Sequence, residues 1–61
     1  MKRTHLLQVL NQMGAVFVRY GKKHDVYRQP ATNAETTVPR HNEIKEFTAK
    51  SIIKTLSPVS P

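Results

Sequence analysis

Residues 15–28 read AVFVRYGKKHDVYR, a stretch typical of a β-hairpin. Its first six residues are mostly β-branched or aromatic and predict a strand rather than a helix. Gly21, Lys22 and Lys23 supply the turn, and residues 24–28 alternate as the returning strand. Because side chains alternate along a strand, one face carries His24, Val26 and Arg28, and the other carries Asp25 and Tyr27.

A helix is predicted on the N-terminal side of this hairpin, over about residues 5–13. Apolar residues recur there at helical spacing behind Thr4, which is a good N-cap. Gly14 follows at the position where the end of a helix favours a left-handed residue. The apolar residues of this stripe are Leu6, Leu7, Val9, Leu10 and Met13.

On the C-terminal side, residues 36–38 predict a short third strand that ends at Pro39, which cannot donate to a sheet ladder. A polar bend through His41 and Asn42 then leads to a second amphipathic stripe. This stripe consists of Ala49, Ile52, Ile53 and Leu56. The expected core residues from the two helices are Leu6, Leu10, Ile52, Ile53 and Leu56.

The predicted order is therefore helix, three strands, helix, which is an α+β chain. A three-stranded antiparallel sheet with both helices on one face buries both apolar stripes and leaves the other sheet face open to solvent. This α-β-β-β-α order is the layout of a small double-stranded-RNA-binding domain. Residues 1–57 are expected to form a single domain, followed by a disordered tail over residues 58–61.

Length and composition restrict the kind of site. A chain of 61 residues buries only about 60% of its unfolded surface. Such a chain has no room for a deep closed pocket, so any site is expected to be a shallow surface. The chain has no cysteine, which excludes disulfides and thiolate zinc sites and is compatible with a reducing cytoplasm.

The net charge is +6 and is unevenly distributed. Residues 1–30 contain six of the ten basic residues and one of the four acidic residues. The positive charge therefore concentrates on the first helix terminus and the hairpin, which suits a polyanionic ligand. A small basic domain of this kind is also compatible with charge that serves solubility alone.

Several classes of site have no support in the sequence. The three histidines His5, His24 and His41 are 19 and 17 residues apart, so no pair has the local spacing of a metal site. Paired carboxylates and a glycine-rich phosphate loop are also missing, so no metal and no cofactor are expected. No apolar run reaches membrane-spanning length, and polar residues interrupt the run that a signal peptide needs, so a cytoplasmic location is predicted.

Histidine and cations remain as the candidate chemistry. RNA carries its own nucleophile, the 2′-hydroxyl, so cleavage needs proton transfer and stabilisation of phosphate charge. His24 is the candidate general base or acid, beside phosphate-binding Lys22, Lys23 and Arg28. Arg19 and Arg40 are further candidate phosphate contacts. The same residues also fit a solvated histidine at a strand start and a merely charged hairpin tip.

Short motifs follow one another in a fixed order over residues 3–56. They are a first helix of the type Lys-x-x-x-Leu-x-x-x-Leu, Val18-Arg19, His24 with Val26-Tyr27-Arg28, Val38-Pro39-Arg40-His41, Glu43-Ile44-Lys45 and a helix over residues 48–56. In this order and spacing the chain resembles the HicA family of bacterial and archaeal toxins, which are small ribonucleases paired with HicB antitoxins.

The resemblance implies a double-stranded-RNA-binding fold that cleaves mRNA without a metal and thereby inhibits translation. The family's single catalytic histidine follows the first hairpin turn and maps onto His24. The resemblance also implies a HicB-like antitoxin whose N-terminal domain covers the His24 surface. Family members commonly read Gly-Ser-His at the turn, where this chain has Lys22-Lys23-His24.

Two other classes of function fit the same residues. In the first, the chain is a non-catalytic RNA-binding module that uses the basic surface for shape recognition. In the second, it is an interaction subunit whose open sheet face makes the important contacts. Because the sequence shows no coiled-coil or exposed apolar pattern, the free chain is expected to be a monomer.

Overall fold

The computed structural model describes residues 1–58 and has the predicted α+β order. The structure consists of two helices and a three-stranded antiparallel sheet, which confirms the predicted fold class. The predicted tail, apart from Pro58, lies outside the described residues. The elements are α1 (Arg3–Gln12), β1 (Val16–Tyr20), β2 (His24–Gln29), β3 (Ala34–Pro39) and α2 (Glu46–Thr55).

β2 is the central strand of the sheet, so β1 and β3 are its two edges. Asp25 lies opposite Tyr20 on one side and Val38 on the other. Directly opposite residues share a sheet face, and Val38 belongs to the core, so this is the face beneath the helices. Val26 lies opposite Arg19 on the other face, as the two-residue period predicts.

The start of α1 differs from the prediction. The helix begins at Arg3 with Lys2 at the N-cap, and no side chain caps it, so the assignment of Thr4 as N-cap is wrong. The backbone amide of Arg3 instead donates to the carbonyl oxygen of Asn42 at 2.9 Å, and Lys2 forms a β-bridge with Glu43. A backbone partner from the β3–α2 connection therefore satisfies a helix amide that a side-chain cap ordinarily satisfies.

The core lies between the helices and one face of the sheet. Its buried members are Leu6, Leu10, Ala15, Val38, Ile44, Ala49, Ile52 and Leu56. Four of the five predicted core residues are fully or almost fully buried, and Ile53 is half-buried against them. Within residues 1–58, no helix is long and apolar enough to cross a membrane.

Gln29 at the end of β2 is a buried polar residue that connects both helices to the sheet. It is 2% exposed, and its amide nitrogen donates to the carbonyl oxygens of Met13 and Leu56, each at 2.9 Å. Met13 and Leu56 are the C-cap residues of α1 and α2. One side chain thus supplies a hydrogen-bond donor to a carbonyl at the end of each helix.

Gln29→Leu is expected to destabilise the domain by about 2 kcal/mol, since it leaves two carbonyl oxygens without their donor. Urea unfolding followed by circular dichroism measures this change. Gln12→Leu, at an exposed position on α1, is the matched control and is expected to change stability by less than about 0.5 kcal/mol. Equal midpoints for the two variants would contradict the assigned role of Gln29.

Candidate nucleic-acid interface

His24 is the first residue of β2 and is exposed to solvent. Its carbonyl oxygen accepts the backbone amide of Gly21 at 2.7 Å, which closes the turn. A Cβ at position 21 would lie 2.8 Å from that oxygen, so the close approach requires glycine. Within residues 1–58 the imidazole forms no hydrogen bond or ion pair, so both ring nitrogens remain available.

Four of the predicted cations lie around His24 or along its sheet face. Lys22 and Lys23 are exposed in the turn that precedes it. Arg19 is exposed on β1, and Arg28 is half-buried on β2. In the described part of the chain these four side chains have no hydrogen-bonding or ionic partner, and the buried Nε of Arg28 is unsatisfied.

The strand geometry separates His24 from Arg28. They lie four residues apart on one face, so their Cα atoms are about 13 Å apart at a rise of 3.2–3.4 Å per residue. The two side chains therefore start from well-separated positions on the strand. Val26 lies between them and is 6% exposed, so neighbouring side chains cover the middle of this face. His24 is grouped with the lysines at the turn, whereas Arg28 lies further along the strand.

Arg40, also predicted to bind phosphate, is occupied by contacts within the protein. Its Nε donates to Oδ1 of Asp25 at 2.8 Å, and its Nη2 donates to the carbonyl oxygen of Gly21 at 2.8 Å. Its guanidinium also lies over the ring of Tyr20, 5.5 Å from the centroid. The structure therefore ties Arg40 to Asp25 and to the hairpin turn, unlike the four unpartnered cations.

Asp25 accepts hydrogen bonds from both Arg40 and Arg3. It was not among the predicted site residues. It is 6% exposed, and its second oxygen, Oδ2, accepts Nη2 of Arg3 at 2.5 Å. Arg3 also donates through Nε to the carbonyl oxygen of Pro39 at 2.9 Å. Because Pro39 lies opposite His24 in the sheet, the Asp25 cluster (Arg3, Asp25 and Arg40) fixes the backbone on several sides of His24.

Tyr27 has a packing role, as its position on the helix face predicts. It contacts the core, and its ring meets that of Phe17 edge to face with centroids 5.8 Å apart. Burial raises the pKa of Tyr27 above the usual phenol value. The phenol is therefore neutral at physiological pH and is unsuited to act as a general base.

The other two histidines lie apart from this group. His5 is exposed on α1, and His41 is exposed in the connection after β3. His41 lines an open groove of about 580 Å³, together with Pro39, Glu43, Ile44, Lys45 and Thr48. In residues 1–58, no three His, Cys, Asp or Glu side chains are grouped closely enough to hold a metal ion.

Comparison with known proteins gives one match that covers most of the chain. The family model of the HicA toxin of bacterial toxin–antitoxin systems matches residues 3–57. No curated protein and no solved structure matches the chain. The matched segment contains both helices, all three strands and the hairpin turn with His24. The chain therefore belongs to the HicA toxin family of bacterial toxin–antitoxin systems.

Proposed function

We propose that this toxin is an endoribonuclease that cleaves mRNA in the cytoplasm, with His24 as its catalytic residue. The observation that carries the proposal is the exposed, unpartnered imidazole of His24 beside Lys22 and Lys23. Arg19 and Arg28 extend the positive charge along the same sheet face. An exposed titratable group among free cations suits a phosphodiester in an extended polyanion.

The reaction uses the substrate's own 2′-hydroxyl as the nucleophile. As its oxygen bonds to phosphorus, a base takes its proton, the bond to the 5′ oxygen breaks, and an acid protonates that leaving oxygen. The products are a 2′,3′-cyclic phosphate and a 5′-hydroxyl end. His24 performs one of the two proton transfers, and Lys22 and Lys23 stabilise the additional negative charge on the phosphate. No step requires a metal ion.

An RNA oligonucleotide with a single 2′-deoxy sugar at the cleavage position tests this mechanism. We expect it to bind with unchanged affinity and to resist cleavage, since the nucleophile is gone while the phosphates remain. Gel analysis of end-labelled RNA, with and without EDTA, measures both the cut and its metal dependence. Cleavage of the deoxy substrate, or loss of cleavage of the parent RNA in EDTA, would contradict the mechanism.

The four unpartnered cations are proposed to contact successive phosphates of one RNA strand. Arg28→Gln is expected to weaken RNA binding and to reduce the slope of log affinity against log salt by about 0.7, the value of one phosphate contact on a single strand. Lys54→Gln on α2 is the control with the same charge change and is expected to leave the slope unchanged. If Arg28→Gln leaves the slope unchanged, Arg28 does not contact a phosphate of the RNA.

Membership of a toxin–antitoxin family implies a cognate antitoxin. We propose that the antitoxin covers the His24 surface, so that RNA and antitoxin exclude each other, and that the free toxin is a monomer. The positive charge of the toxin favours association with an acidic partner. Displacement of fluorescently labelled RNA by added antitoxin tests this overlap, and simultaneous binding of both would refute it.

A further inference from the structure

Four of the five large hydrophobic residues that are exposed among residues 1–58 lie on β1, at an edge of the sheet. All five residues of the strand are exposed, and four of them are apolar or aromatic. The exposed fractions are 43% for Val16, 44% for Phe17, 40% for Val18 and 76% for Tyr20. The expectation that the chain has no exposed apolar pattern is therefore wrong. β1 is exposed because it lies at an edge of the sheet, and the fold sets that position, not the residues of the strand itself.

The helices leave the side chains of β1 exposed. Phe17 and Tyr20 lie on the helix-facing side, since they oppose Tyr27 and Asp25, yet both remain exposed. Their rings contact each other with centroids 4.8 Å apart. As an edge strand, β1 also presents backbone N–H and C=O groups that have no neighbouring strand. The edge therefore offers both main-chain and apolar contacts to an added strand.

The other edge of the sheet is a poor alternative. β3 carries no large exposed apolar side chain within its range, Ala34–Pro39. It also ends in Pro39, and proline disfavours an added strand because it has no backbone N–H to donate. The two edges thus differ in the exposed apolar side chains that they offer to an added strand.

Charge decides which kind of strand fits β1. Arg19 lies within the strand, Lys22 and Lys23 follow it, and no acidic residue lies in β1. A second copy of this +6 chain would bring like charges together. RNA offers no peptide groups to continue the ladder, so the edge favours an acidic protein strand.

We propose that the antitoxin adds an extended acidic strand to the outer edge of β1. Its apolar residues contact Phe17 and Tyr20, and an acidic residue lies opposite Arg19. Because β1 leads directly into the turn that contains Lys22 and Lys23, a strand bound there continues toward His24. The inference rests on the proposed masking of His24 and specifies the contact through which masking occurs.

Amide hydrogen exchange of the complex tests the location. The probe is the cognate antitoxin, bound to the His24→Ala protein so that RNA cleavage plays no part. We expect exchange in residues 16–20 to slow at least tenfold in the complex, with little change on β3. Protection confined to β3, protection of neither edge, or failure to form a complex would overturn the proposal.

Two substitutions at Val18 test the charge requirement. Val18→Lys and Val18→Asp replace the same exposed apolar side chain of β1 with opposite charges, so each is the control for the other. Val18→Asp is expected to bind the antitoxin at least tenfold more weakly than Val18→Lys. Equal affinities, or a concentration-dependent dimer of the free chain in sedimentation, would contradict an acidic partner. RNA cleavage by the parent protein is measured separately. Failure of the ribonuclease proposal is therefore distinguishable from failure of the strand-addition proposal.

Discussion

His24→Ala is expected to lower the rate of RNA cleavage by about 10²–10⁴-fold, the usual contribution of a positioned general acid or base. The folded state should be unaffected, because within residues 1–58 the imidazole makes no hydrogen bond or ion pair whose loss would destabilise it. We expect the free energy of unfolding to change by no more than about 0.5 kcal/mol. Initial rates on a fluorogenic RNA and thermal unfolding measure the two quantities independently.

His5→Ala is the matched control for this experiment, because His5 is also exposed but lies on α1. It should cleave RNA at the parent rate. In cells, induction of the parent and of His5→Ala should arrest growth and degrade transcripts, whereas induction of His24→Ala should do neither. Parent-like cleavage by a folded His24→Ala protein would exclude His24 as the catalytic residue.

The same comparison separates the other two functions that fit this chain. A non-catalytic RNA-binding module would bind RNA through the same cations and yield no cleavage products from the parent. An interaction subunit would show strong contacts on its sheet face and no dependence on His24 in any RNA assay. Salt dependence of RNA binding does not separate the enzyme from the binding module, because both contact phosphates.

The hairpin shows how much of the fold the local pattern determines. The alternation of residues 24–28 predicts which β2 side chains face the helices, and the register of both strand pairs agrees. The exposure of His24 does not follow from the alternation alone, because Val26 on the same face is 6% exposed. The start of α1 was not predictable in this way, because its first amide is satisfied by Asn42, which is distant in sequence.

The Asp25 cluster marks the limit of sequence reasoning for the site. The strand period places Asp25 beneath the helices, and a carboxylate there requires partners. This signal indicates a buried charge but does not identify the arginines that neutralise it. Arg3 and Arg40 are 22 and 15 residues away and meet Asp25 only after the sheet and α1 have assembled. For the same reason, sequence alone does not show that Arg40 contacts Asp25.

Asp25→Ala is expected to be the most destabilising single substitution in this region. It leaves Arg3 and Arg40 without the carboxylate that both contact. Removal of one partner from a buried ion pair costs about 3–5 kcal/mol. We expect about 3 kcal/mol here, at the lower end, because the Arg40 side chain is 41% exposed and water screens its charge. Glu35→Ala, at an exposed β3 position, is the control and should change stability by less than about 0.5 kcal/mol.

A loss of about 3 kcal/mol is large compared with the total stability of so small a domain. At roughly 0.05–0.15 kcal/mol per residue, the whole chain is stable by about 3–9 kcal/mol, so Asp25→Ala removes a third or more of the total. A double-mutant cycle with Arg40→Ala separates the ion pair from other effects. We expect a coupling energy above about 1 kcal/mol, since the second substitution removes a cation that the first has already left unpaired. Additive free energies of unfolding would show that Asp25 and Arg40 stabilise the turn independently, and the backbone around His24 would then not depend on their contact.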